Sequence, residues 1–456
     1  MNTTLFLAIF SILAVFYFFI GLYASRNIKN NTDYFLASRD LGLFPVTFTL
    51  IATQLGGGML MGTAEQAYTV GIYGITYTLG MSLGFLLLGL GFAAKLRSLN
   101  VATTAELFET KYHSPMLKKV ASLLSIATMC GILVGQVVAS RTLLAGMQIN
   151  NEIIFILVWA FIITYTMIGG LKAVVVTDTA QVWVIILVFF GIFGYCLSLE
   201  PSSFFSLAGL IELQKNFSTI RITSTSLLAT IMLPALFSLI EQDLAQRFFA
   251  ARTQRIAALS AFISSAFLLT FSLVPIYFGV KAFAMNLNVP AGASPLIPII
   301  ESLTNDYVAL FAICGILAAI TSTADSLLCA ISSNLAQDFD FSFVGIHNKL
   351  KLSKMVTLIT GAAAFITSYF ISNNVIDILI SSYEISVSCL LVPLLFSYFG
   401  TNLKKNAAIV SILFGLAGFI IFRIHPIVVP KEIAALILSL IGYWLGNSIK
   451  KELMTA

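Results

Sequence analysis

The stretch AAITSTADSLLCAISSN, Ala318 to Asn334, sets hydroxyls and a carboxylate inside an otherwise apolar segment. Ala319, Ser322, Thr323 and Ser326 recur at i, i+3, i+4 and i+7 and therefore share one face of a helix. That face offers hydroxyl oxygens and a backbone carbonyl left open by small side chains. A hard monovalent cation such as Na⁺ takes several oxygen ligands, by the logic of other hard cations. The competing reading is that each hydroxyl bonds back to a carbonyl of its own helix. It accounts for single residues well and for Thr321, Ser322, Thr323, Asp325 and Ser326 together poorly. An aspartate at the centre of a bilayer helix costs about 2.5–3.5 kcal/mol even on the lenient insertion scale, so a compensating role is expected.

A second stretch supplies the opposite wall. TLIATQLGGGMLMG, Thr49 to Gly62, holds three consecutive glycines, Gly56 to Gly58, which are poor helix interior. Within a membrane, unwound backbone is tolerated only where it is buried in protein or lines a cavity. Its freed carbonyls can coordinate a cation, and its freed half-helix ends can face a substrate. Close packing through small residues is the alternative; the neighbouring Thr53 and Gln54 favour unwinding. Other ionisable residues fall inside apolar segments: Glu65, Asp178, Glu241, Asp243 and Glu384. Asp243, beside Gln246 and Arg247, reads as interfacial and structural.

The elements that position these residues are membrane helices. The 456-residue chain is 59% hydrophobic and only 10% charged, with a mean hydropathy of +0.97, where a soluble domain is about a quarter charged. Many runs reach the roughly 20 apolar residues a spanning helix needs, and the short alternating segments of a barrel are missing. Thirteen spans are expected, near 4–24, 44–70, 73–94, 119–147, 151–168, 174–198, 225–247, 257–282, 307–337, 355–372, 375–399, 406–423 and 432–448. With the N-terminus outside and the C-terminus inside, only Lys215, Arg221, Lys281, Arg423 and Lys431 of the 25 Lys and Arg residues lie outside and Arg141 lies within a span. The rest fall in inner loops, as the positive-inside rule requires. The first apolar run has no basic n-region and reads as a retained helix rather than a signal peptide.

Several functions are disfavoured. The basic residues are scattered through short loops, which argues against nucleic acid as a partner. Cys130, Cys196, Cys314, Cys329 and Cys389 show no metal-ligand spacing and read as small core residues. There is no Walker-type GxxxxGK[ST] for ATP-driven transport and no HExxH. His113, His347 and His425 lie in loops or at span ends, so an intramembrane enzyme is not expected. A sensor or channel is a further rival. No obligatory protein partner is implied; the expected environment is the lipid bilayer of the cell membrane.

The motifs GGLKAVVVTDTAQ (Gly169 to Gln181), QRFFAARTQ (Gln246 to Gln254) and AAITSTADSLL (Ala318 to Leu328) resemble the sodium:solute symporter family, in order and over nearly the whole chain. The resemblance implies a LeuT-type core of two inverted five-helix repeats, here 44–198 and 225–399. An extra N-terminal helix at 4–24 and two extra C-terminal helices at 406–448 would flank it. It implies that the first helix of each repeat is broken, with Pro234 and Ser238 as break points in the second. It implies a principal sodium site from the carbonyls of Ala52, Leu55 and Ala319 and the hydroxyls of Ser322 and Thr323. A second sodium or proton site would use Asp178, Asp325 and Ser326. Substrate contacts would come from Gln54, Gly56, Gly57, Gln136, Glu241, Gln242 and Glu384. The expected activity is sodium-coupled import of a small polar organic solute by alternating access. An amino acid or similar zwitterion is favoured, because Glu241 suits an ammonium and Trp159, Trp183 and Trp444 all lie off the broken helices. Proton coupling, or a choline, sugar or carboxylate substrate, remains the alternative.

Overall fold

The computed structural model describes residues 3–26, 28, 30–146, 151–200, 214, 217, 224–289, 293–341, 348–371, 374–425 and 429–449. Lys29, Lys215, Arg221, His347, Lys450 and Lys451, used above in assigning sides and loops, lie outside the described residues.

The described chain is all-helical; its one isolated β-bridge pairs Leu41 with Ala251. In chain order the helices are α1 (Thr3–Ser25), α2 (Asn31–Leu36), α3 (Leu43–Gln54), α4 (Thr63–Val70), α5 (Thr76–Leu87), α6 (Ala93–Ser98), α7 (Glu106–Tyr112), α8 (Pro115–Gly146) and α9 (Glu152–Ser198). They continue as α10 (Ser224–Phe237), α11 (Gln242–Ala250), α12 (Gln254–Phe271), α13 (Leu273–Ala284), α14 (Leu296–Leu303), α15 (Asp306–Asp338), α16 (Lys349–Thr367), α17 (Val375–Phe399), α18 (Lys405–Ile424) and α19 (Lys431–Ser448). Among the described residues, 10 helical stretches are long and apolar enough to cross a membrane. The chain is a multi-pass membrane protein.

α15 is the axis of the molecule. In its most apolar window 83% of the residues are buried, against 22% for α1, so α15 meets protein on all sides whereas α1 presents most of its surface outward. The polar residues of α15 therefore face neighbouring helices rather than hydrocarbon, which removes the insertion penalty that made them conspicuous.

Two interruptions shape the centre. α3 ends at Gln54; Leu55 and Gly56 leave the helix, and Gly58–Gly62 resumes it as a wider π-type turn. α10 carries Pro234 and ends at Phe237, the chain turns through Ser238 to Ile240, and α11 starts after an extended Glu241 (φ −64°, ψ 125°). The Pro234 carbonyl accepts from both the backbone N–H (3.1 Å) and the hydroxyl (2.8 Å) of Ser238. The Leu239 carbonyl, released by the break, accepts from Tyr398 Oη at 2.7 Å, so exposed backbone is satisfied inside the protein. A third irregularity divides α9 at Gly170 (φ 54°). A Cβ there would meet the Tyr34 carbonyl oxygen at 2.6 Å, so only glycine fits both the backbone angle and the space.

Candidate functional site

The interruption after α3 faces the small-residue side of α15. Ser322 Oγ lies 3.1 Å from the Ala52 carbonyl and 2.9 Å from the Ala319 carbonyl. Thr323 Oγ1 lies 3.4 Å from Ala52 O, 3.1 Å from Thr53 O and 3.1 Å from Ala319 O. All of these residues are buried. Both readings of the hydroxyls hold in part: each bonds back to its own helix, and each also reaches across to α3. The result is a cluster of two hydroxyl and three carbonyl oxygens shared by two elements. Its chemistry suits a desolvated hard cation, because every group supplies a lone pair and none carries a charge of its own. Leu55 is buried at the break itself.

Beside the cluster is a small, narrow cavity. The first break contributes Thr53, Gln54, Gly56 and Gly58, and the second contributes Glu241 and Asp243. Thr323 lines the cavity as well, so one side chain belongs to both the oxygen cluster and the cavity. Gln136 of α8 accepts from the Gly57 N–H through Oε1 at 2.9 Å and so holds the first break open on its far side. Gly56 has no room for a side chain: a Cβ would meet Thr323 Oγ1 at 2.7 Å and Gln136 Oε1 at 2.8 Å.

Two tyrosines complete the wall. Tyr77 of α5 and Tyr383 of α17 line the cavity, and their hydroxyls are 3.0 Å apart. Phe237, the last residue of α10, stacks on Tyr383 with ring centroids 4.4 Å apart. Aromatic faces and carboxylates together attract a cation, and no Lys, Arg or His is found among the described residues lining this cavity.

Of the residues expected at a substrate site, Gln54, Gly56, Gln136 and Glu241 line the cavity, and Gly57 adjoins it through its bond to Gln136. Gln242 and Glu384 do not. Gln242 Oε1 accepts from the Thr104 backbone N–H at 2.7 Å and from Thr104 Oγ1 at 3.1 Å; one position after the extended Glu241, its side chain is turned to the loop before α7. Glu384 pairs with Lys431 at 2.6 Å and with Arg423 at 3.7 Å. It follows Tyr383 by one residue, about 100° round the helix, and so points to α18 and α19. Asp243 is not interfacial: it is fully buried, because the break in the second interrupted helix brings the first turn of α11 to the centre. Tyr77 and Tyr383 escaped the sequence reading, since tyrosines in apolar segments are common and only tertiary packing pairs these two.

The proposed second ion group is split. Asp325 Oδ1 accepts from Thr166 Oγ1 at 2.6 Å. Asp178 and Ser326 instead meet around the guanidinium of Arg247, at 3.7 Å and 2.5 Å respectively.

The chain matches the description of the sodium:solute symporter family over residues 34–415. It is 26% identical to "High-affinity choline transporter 1" of Drosophila melanogaster across 70% of this chain and 54% of that one. It is 27% identical to "High affinity choline transporter 1" of Homo sapiens across 72% of this chain and 61% of that one. The matches thus span about half to three fifths of these relatives. Among solved structures, a Na⁺-coupled sialic acid symporter in a substrate-bound outward-open state superposes with a TM-score of 0.76 at 18% identity, covering 98% of each chain. MHP1, a nucleobase-cation-symport-1 family transporter, superposes in a closed conformation with a TM-score of 0.61 at 14% identity, covering 92% of this chain and 96% of that one. The shared fold is that of the LeuT-type transporters.

Proposed function

The chain belongs to the sodium:solute symporter family, a family of transporters rather than enzymes, and on that premise we propose that it imports a small organic cation, choline or a close analogue, driven by sodium. The observation that carries this reading is the double membership of Thr323. Its hydroxyl is part of the oxygen cluster formed with Ala52 and Ala319, and its side chain lines the cavity. Sodium at the cluster bridges α15 and the break after α3 and fixes that wall of the cavity. Substrate binding then meets a preorganised surface, and each ligand raises the affinity of the other. The carbonyl of Leu55, the residue at which α3 ends, is the further ligand assigned to this site.

The lining favours a cation over the zwitterion expected from Glu241 alone. Glu241 and Asp243 supply carboxyl oxygens, Tyr77 and Tyr383 supply aromatic faces, and no basic side chain among the described lining residues receives a carboxylate. The choline transporters among the relatives support the same choice. Tyr77 and Tyr383 supply the aromatic faces that Trp159, Trp183 and Trp444, all off the broken helices, do not.

The architecture that goes with this activity is thirteen crossings with the N-terminus outside and the C-terminus inside. Inverted repeats at 44–198 and 225–399 form the core, and alternating access proceeds around the two breaks. The placement of one break in the first helix of each repeat supports it. The test is uptake into proteoliposomes of labelled choline, proline, glucose and a carboxylate, under an inward sodium gradient and separately under an inward proton gradient. Choline uptake driven by sodium alone is the expected result. Uptake driven only by protons, or confined to another solute, contradicts the reading.

A further inference from the structure

α8 and α17 line a second, larger hollow on faces other than those they turn to the substrate cavity. It measures about 410 Å³ and is bounded by α8, α16, α17 and the end of α18. Cys130 and Val134 of α8 line it, whereas Ile132 and Gln136 of the same helix line the substrate cavity. On α17 Ile378 and Ser381 line the hollow, and Leu379 and Tyr383 line the cavity. A wall of two helices therefore stands between them. It is tightly closed at Gly131, where a Cβ would collide with Ser382 Oγ.

The hollow opens toward the membrane. Ala363 and Thr367 of its α16 side are exposed, and so are the neighbouring Ile366, Phe370, Ile420 and Ile424. In a multi-pass membrane protein such apolar surface meets lipid tails. Thr367 ends α16, Ile378 stands in the first turn of α17 and Arg423 in the last turn of α18, so the hollow reaches the end of the bundle. From Thr360 to Thr367 the lining runs about 10 Å along α16, at 1.5 Å per residue, most of the roughly 15 Å depth of one leaflet's hydrocarbon.

Arg423 carries the one charge among the described lining residues. Its charge is loosely held. Lys431 lies 2.6 Å from Glu384 Oε1 and 3.9 Å from Glu432, so Glu384 already has a close cation. Arg423 Nη1 stays 3.7 Å from the other Glu384 oxygen, beyond hydrogen-bond range, and its guanidinium rests over the Phe419 ring at 5.6 Å. The side chain is 53% exposed. Its planar set of N–H donors matches a phosphate, and basic pockets between membrane helices take lipid headgroups.

We propose that this hollow is a lipid site: one acyl chain of an anionic phospholipid lies against α8 between α16 and α17, and its phosphate meets Arg423. An anionic headgroup is favoured because the phosphate of a zwitterionic lipid is shadowed by its own ammonium. The bound chain props the α8 and α17 wall from behind. Tyr383 is carried on that wall, so occupancy tightens the grip on the substrate. This last step rests on the proposed reading of the cavity; the lipid site does not.

The test is native mass spectrometry of the full-length chain, released from detergent in the presence of dioleoyl phosphatidylglycerol or dioleoyl phosphatidylethanolamine. Wild type is expected to hold one phosphatidylglycerol about tenfold more tightly than phosphatidylethanolamine, as one charge-assisted contact implies. Arg423→Gln is expected to erase the difference, and Ala363→Phe, which fills the hollow from α16, to weaken both lipids. Arg423→Gln, at an exposed position, decides the matter even where the bulkier side chain upsets folding. Equal retention of the two lipids by wild type, or a preference that survives Arg423→Gln, overturns the site. The choline KM in phosphatidylcholine vesicles is expected to fall at least about threefold on adding phosphatidylglycerol, and not to respond in Ala363→Phe. Lipid bound as expected with an unmoved KM overturns the effect on the substrate and upholds the site. A chain that binds the lipid and moves no choline contradicts the proposed substrate, again with the lipid site upheld.

Discussion

The hydroxyl of Ser322 sits 3.1 Å from the carbonyl oxygen of Ala52, 270 positions away in the sequence. The contact joins α15, the most enclosed of the described helices long and apolar enough to span a membrane, to the edge of the first break. A cation lying between them contacts both elements, whereas removing it leaves only hydroxyl-to-carbonyl bonds.

The first prediction follows from that contact. Ser322→Ala and Thr323→Ala each remove one ion ligand and leave the helix its own backbone bonds. An interaction with a charged group is worth about 1.5–3 kcal/mol, so half-maximal uptake should need roughly tenfold to a hundredfold more sodium. Sodium titration of initial uptake rates, with size-exclusion profiles to confirm folding, checks this.

Gly56→Ala should stop transport while leaving the membrane fold in place. Its new Cβ would crowd Thr323 Oγ1 (2.7 Å) and Gln136 Oε1 (2.8 Å), both of them site groups. Overpacking of this kind costs about 1–3 kcal/mol, which a membrane bundle survives and a binding geometry does not. Expression and melting temperature near wild type, with choline uptake lost, is the expected pattern.

The aromatic wall separates ring from hydroxyl. Tyr383→Phe keeps the face that stacks on Phe237 and should leave the KM for choline within about threefold. Tyr383→Ala should raise it about tenfold, in line with a desolvated cation–π contact of up to about 2 kcal/mol. Equal effects of the two substitutions would show that the hydroxyl pair with Tyr77, and not the ring, is what matters.

Gln242→Ala should affect stability instead of recognition. It strips the Thr104 backbone N–H of its acceptor, at a cost of about 1–3 kcal/mol. A lower melting temperature with an unchanged KM for choline is expected.

The oxygen cluster was largely legible in the sequence because helical spacing alone puts Ala319, Ser322 and Thr323 on one face, and three glycines mark the opposite break. What the spacing could not convey was direction one residue further on. Asp325 and Ser326 are neighbours, yet about 100° of helical turn sends one to Thr166 and the other to Arg247. Gln242 and Glu384 are similar cases, each one residue from a side chain that does line the cavity. Asp243 read as interfacial because it stands beside Gln246 and Arg247. Only the break at Ser238 to Glu241 reveals that this motif begins in the centre of the protein. The contacts of Arg247 bring together four separate helices, and no local pattern contains them.

The central claim is that ion and substrate share a wall at Thr323. The most direct measurement is the affinity of purified protein for labelled choline with sodium and with an equal concentration of potassium, in wild type and in Ser322→Ala. The account predicts at least about tenfold tighter binding in sodium for wild type, and little or no sodium effect in the variant. Choline affinity in wild type that is the same in both salts would contradict it.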